Sequence, residues 1–214
     1  PAEPAIAPPV SRSPPEPWTA GTGVMIQQPG VPSGRLWTIG HSTRSSDEFL
    51  ALLQSHAIQR LVDIRRYPGS RRHPQFHAAA LAKSLAQAEC SYEEMPGLGG
   101  RRPARPDSPN GGWKNAGFRG YADYMQTEEF AVALGELMTR ATEEQTAIMC
   151  AEAVPWRCHR SLVADALVVR GWDVTHILSP GQLKPHQLTA FAQVESGRLV
   201  YPPAPDPGST LRLF

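Results

Sequence analysis

The sequence predicts an α/β fold: a single three-layer domain in which a mostly parallel sheet is flanked by helices. Short apolar runs alternate along the chain with segments whose apolar residues recur at helical spacing, the order expected of strands joined by crossover helices. Each run also stops at a group of polar residues, and in open α/β sheets that is where ligands are held. A length of 214 residues is enough for one domain with a proper core and too short for two large ones.

Composition bounds the function. An apolar share of 41% and a charged share of 19% are ordinary for a globular protein, while 22 prolines exceed the usual share of about 5%. The excess sits at the ends. Residues 1–34 and 201–214 are therefore expected to be disordered Pro-rich extensions around an α/β domain at 35–200, and residues 1–34 to be dispensable. The stretch Pro1–Gly34 lacks the basic and apolar regions of a signal peptide, and no apolar stretch of about 18 residues is present, so a cytoplasmic setting without membrane contact is expected. Cys90, Cys150 and Cys158 are too few for a disulfide framework. A net charge of +1 excludes a polybasic chain but leaves room for a local basic face.

In order, Arg35 to Gly40 reads as a strand, followed by a helix from about Ser46, its expected cap, with Asp47 and Glu48 in an acidic first turn. Ile58 to Arg65 reads as a second strand, and Arg66 to Phe76 as a basic loop before a helix over about Ala78 to Glu89. Ser91 to Met95 is a short third strand, and Arg101 to Gly120 a long aperiodic loop. A helix over about Thr127 to Arg140 precedes the buried strand Ala147 to Cys150. A further helix starts near Cys158 and runs to Arg170, and Trp172 to Leu178 is the last strand.

The chemistry concentrates at strand ends. Asp63 and Glu152 close two strands beside basic loops, and paired carboxylates can act as general acid and base, with His41 and His159 as alternates. Cys158, near a helix start beside Arg157, His159 and Arg160, is the better placed thiol for reactivity, whereas Cys150 reads as a buried strand cysteine. The Cys150–Arg157 spacing departs from that of cysteine phosphatases. A metal could recruit Cys150, Glu152, Cys158 and His159, with His41 or His176 from neighbouring strands, but no short C-x-x-C pair supports it, and the expected protein carries no cofactor.

Basic loops interleaved with aromatics suit phosphates and stacked bases. Gly40, Ser42, Arg65, Ser70, Arg71, Phe76, Tyr121 and Arg160 are the expected substrate-binding residues.

Thr38-Ile-Gly-His-Ser-Thr43, Asp63-Ile-Arg65 with Pro68, Ser70, Arg71, Pro74 and Phe76 behind it, Gly117-Phe118 with Tyr121, and Cys150-Ala-Glu152 followed by Cys158-His-Arg160 occur in that order. In these motifs, from about Trp37 to Leu178, the chain resembles the domain-of-unknown-function family numbered 488. The resemblance implies a small α/β protein with shared polar positions at Gly40, His41, Ser42, Asp63, Arg65, Arg71, Glu152, Cys158, His159 and Arg160, and it names no reaction.

The functional expectation is an enzyme that binds a phosphate-bearing substrate, nucleic acid or nucleotide in preference to a sugar phosphate, and hydrolyses a glycosidic or phosphodiester bond. Asp63, Glu152, His41, His159 and Cys158 are the catalytic candidates. The alternative is a non-catalytic metal- or nucleic-acid-binding module built on the Cys/His cluster.

Overall fold

The computed structural model describes residues 34–69, 72–195 and 197–205. Ser70 and Arg71, both expected site residues, lie outside these, as do residues 1–33 and 206–214. Strand β1 (Arg35–Gly40) leads into helix α1 (Ser46–Ser55). The cap of α1 is Ser45: its hydroxyl accepts from the Glu48 amide while the Glu48 carboxylate accepts from the Ser45 amide, so two donors at the helix start are satisfied reciprocally. Phe49, Leu52 and Leu53 are the buried face. Strand β2 (Arg60–Asp63), helix α2 (Ala78–Gln87) and strand β3 (Ser91–Glu94) follow, as the sequence predicts.

The segment expected to be one loop up to Gly120 gives way at Ala116 to helix α3 (Ala116–Tyr124), capped by Asn115, which accepts from the amides of Gly117 and Phe118. Two glycines in nine residues hide this helix from a propensity reading. Gly120 is there because a side chain would run into the backbone of Arg102 to Ala104 lying across it. Helix α4 (Glu128–Glu143) and the wholly buried strand β4 (Thr146–Cys150) come next. Helix α5 (Arg160–Val168) begins two residues later than expected, since Pro155 starts a 3-10 turn at Pro155–Arg157 and Cys158 is left extended in front of the helix. Strand β5 (Asp173–Ser179) turns at Gly181 into β6 (Gln182–Pro185), and β7 (Gln193–Glu195) pairs with β8 (Arg198–Val200). These last three strands lack an alternating apolar pattern and are not legible in the sequence.

The main sheet runs β3-β2-β4-β1-β5-β6, parallel except for β6. Residues alternate across it. Ile39, Leu61, Ala147, Met149 and Ile177 pack with α1 and α2, while Leu36, Val62, Ile148 and Val174 pack with α3, α4 and α5. Tyr201, read as the start of a tail, is fully buried: its hydroxyl donates to Asp165 and its amide to Asn110. Among the described residues no helix is long and apolar enough to cross a membrane.

Topology fixes where a ligand can enter. β4 lies between β2 and β1, and the chain leaves β1 toward β2 through α1 on one face but leaves β4 toward β5 through α5 on the other. Adjacent parallel strands whose connections depart in opposite directions open a crevice at their carboxyl ends, the usual ligand position in such sheets.

Candidate functional site

That crevice is closed by direct backbone contact. The amides of His41 and Ser42 donate to the carbonyls of Cys150 and Ala151 (3.0 and 2.9 Å), which extends the pairing of β1 and β4 past the strand ends. Gly40 has no side chain because the Glu152 carbonyl passes where a Cβ would stand. Ser42 sits at φ +53°, turning the chain away from the sheet.

Arg160 holds the facing loop. It is 1% exposed, and its two terminal nitrogens donate to the carbonyls of Glu152 and, at 2.7 Å, Ala153. Its Nε has no partner, and among the described residues no carboxylate lies within ion-pair distance. Arg160 thus leaves a positive charge buried in the wall of the crevice, behind the two cysteines.

Asp63 and Arg65 are bound to each other. Asp63 is fully buried and accepts from the Arg65 amide (3.0 Å), from Arg65 Nε (2.8 Å) and Nη2 (2.5 Å), and from the Tyr92 hydroxyl (2.8 Å). Arg65 Nη2 also donates to the Phe76 carbonyl at 2.9 Å, tying down the far end of the loop after β2. Its Nη1 faces His41 Nε2 at 3.4 Å. His41 Nδ1 donates to the Ser42 carbonyl (2.9 Å) and its ring stacks on Phe76 at 4.2 Å, so Nε2 is the acceptor of a neutral ring. Burial, with the Arg65 charge assisting and the Ser42 bond opposing, holds His41 below the usual histidine range. Phe76 is therefore a buried support for His41, and Tyr121 is likewise fully buried, its hydroxyl donating to the Leu98 carbonyl and its ring 5.0 Å from that of His159.

The cluster at the centre is Cys150, Cys158 and His159. His159 Nδ1 lies 3.9 Å from Cys150 Sγ and 3.7 Å from Cys158 Sγ, and all three ligand atoms fall within 4.8 Å of one another. His159 Nε2 is 3.1 Å from the Ile64 carbonyl, which can only accept, so Nε2 carries the hydrogen and Nδ1 of the neutral ring turns its lone pair toward both sulfurs. Gly100 packs against that nitrogen: a Cβ there would stand 2.8 Å from Nδ1. Hydrogen bonding from the Cys158 thiol, against the effect of burial and with the Arg160 charge adding to it, holds the Cys150 thiol well below its ordinary range. Burial and the charge on Cys150 push the Cys158 thiol up. Sequence reasoning leaves Cys150 out of the catalytic candidates, because its position in an apolar strand resembles a packing role, and names it only as a possible metal ligand.

Glu152 is the exception among the acidic candidates. Its side chain is exposed and engages no group among the described residues, while Asp63 is fully enclosed. The family model described as "Domain of unknown function DUF488" matches residues 45–167. The chain belongs to this family. The DUF488 match takes in β2, β4, the loop between Cys150 and Cys158 and most of α5, and begins after the loop that carries Gly40, His41 and Ser42. No curated protein matches the chain, and no solved structure does.

Proposed function

We propose that this DUF488 protein binds a single-stranded nucleic acid or a nucleotide across the carboxyl edge of its sheet and hydrolyses a glycosidic or phosphodiester bond in it, with Glu152 as the carboxylate that moves the proton. The observation that carries the reading is a pair of exposed aromatic rings, each faced by a cation, on loops that follow neighbouring strands. Tyr67, after β2, is 62% exposed with the Arg66 guanidinium 5.7 Å from its ring, and Trp156, after β4, is 58% exposed with Lys184 at 4.9 Å. Exposed Arg72, Arg101 and Arg157 stand on the same loops and their neighbour. Rings of this kind stack on bases whatever the sequence, and the cations beside them meet phosphates.

The division of labour follows from what is already engaged. The Asp63 carboxylate accepts from four donor groups and cannot approach a substrate without releasing Arg65, whereas Glu152 is accessible and unengaged. Arg65 and Arg160 hold the loops in place, and the exposed arginines are the phosphate contacts. The test is fluorescence anisotropy with a labelled oligonucleotide of about a dozen residues at fixed salt, together with turnover on modified-base oligonucleotides and nucleotides. Trp156→Ala should weaken binding about 5- to 150-fold, the worth of one lost base stack. Glu152→Gln should leave binding intact and lower turnover about 10²- to 10⁴-fold. Wild-type affinity in Trp156→Ala and in a Tyr67→Ala variant would remove the support for this reading.

A further inference from the structure

We propose that Cys150, Cys158 and His159 form a binding site for one thiophilic divalent ion of the zinc class, independently of whether the rim above it binds nucleic acid. The distances fit such an ion. Zinc about 2.3 Å from sulfur and about 2.05 Å from nitrogen, in tetrahedral array, separates sulfur from nitrogen by about 3.6 Å. The two separations here are 3.9 and 3.7 Å, so an ion would draw the nitrogen and each sulfur together by only a few tenths of an ångström.

The second shell is also in place. Metal-binding histidines donate their other ring hydrogen to a carbonyl or carboxylate, which fixes the tautomer and aims the lone pair. The Ile64 carbonyl does this for His159 at 3.1 Å. The ligands and the carbonyl that orients His159 come from three directions: Cys150 from the end of β4, Cys158 and His159 from the entry to α5, and the carbonyl from the residue after β2. The site is therefore held by the sheet itself and does not need the ion to assemble it.

Among the described residues the group has three members, two sulfurs and one nitrogen. Three protein ligands leave a fourth position for water or substrate, which is the pattern of catalytic rather than structural zinc.

The experiment uses the full chain, expressed without a histidine tag and kept in a phosphine reductant so that the thiols stay free. Elemental analysis of the purified protein should return about one zinc per chain. After removal of metal, titration with cobalt(II) should give the sulfur-to-cobalt charge-transfer and d–d bands of a tetrahedral thiolate site, displaced by one equivalent of zinc. Cys150→Ser, Cys158→Ser and His159→Gln should each weaken zinc binding at least about 100-fold, more than loss of an outer partner would. Cys90→Ser should leave it unchanged, because Cys90 belongs to the core on the opposite face of the sheet. The wild-type spectrum stands by itself if a buried cysteine variant fails to fold. Metal-free wild-type protein that is folded and yields no thiolate–cobalt bands, or zinc binding that survives in folded Cys150→Ser and Cys158→Ser proteins, would overturn the site. Neither result bears on the oligonucleotide assay, whose residues lie on the rim.

Discussion

Gly40 and Asp63 are fixed by what passes next to them. A methyl group at Gly40 would lie 1.8 Å from the Glu152 carbonyl oxygen, a backbone atom that Arg160 also grips, so neither side can give way alone. Gly40→Ala should therefore cost about 3 kcal/mol or more of stability, at or above the upper end for overpacking, read as the midpoint of urea unfolding. Asp63→Asn should cost about 3–5 kcal/mol, because it leaves Arg65, 7% exposed, as a buried cation without its counter-charge. A cost under about 1 kcal/mol would mean that Arg65 swings out to water. The residue types at the strand ends are legible in the sequence, and their roles only partly so. Asp63 looks like a catalytic carboxylate until Tyr92, 29 positions later, is seen to complete its set of donors. The metal-binding potential of Cys150 likewise depends on a contact with His159 across nine positions and on the carbonyl of the residue after β2.

Among the elements, those with a strong local signal are the ones the sequence reveals. α1 has its cap, its acidic turn and its apolar face in one ten-residue stretch, though the capping residue proves to be Ser45 and the helix starts one position after it. Ser45→Ala should lower stability by about 1 kcal/mol, since the Glu48 amide loses its acceptor. For a chain of this length that is a fall of about 2–4 °C in thermal midpoint, measurable by circular dichroism. α3 and the strands β6 to β8 lack such signals. α3 carries two glycines, of which Gly120 serves its packing against Arg102 to Ala104 while Gly117 is exposed, and β6 is an exposed edge strand whose position is set by pairing with β5. Their formation depends on tertiary contacts, which no local period records.

At the scale of the molecule, the insertion of β4 between β1 and β2 makes the crevice, and on the far side of β1 a buried polar chain fastens the C-terminal segment to it. The Thr38 hydroxyl lies 2.7 Å from His176 Nδ1, His176 Nε2 lies 3.0 Å from His186 Nδ1, and His186 Nε2 lies 2.8 Å from Asp165, which also accepts from Thr189 and Tyr201. Asp165 thus anchors a continuous line of contacts that runs through the two rings to Thr38 on β1. Burial, reinforced by the nearby His186, Arg160 and Lys184, lowers the pKa of His176 to about 3. A histidine whose folded value is depressed contributes its full stability above the unfolded value of about 6.5, and loses it as pH falls from there toward the folded value, because only the unfolded chain takes up the proton. His41 acts in the same direction. Stability should thus be level above about pH 7 and fall by roughly 2 kcal/mol at pH 5 from His176 alone, before most carboxylates titrate. Urea unfolding at pH 7.5, 6 and 5 measures it, and His176→Gln should flatten the slope over that interval. Equal stability of the wild-type chain at pH 7.5 and 5 would show that His176 accepts its proton inside the fold, and with it that the relay from Thr38 to Asp165 rearranges to hold a cation.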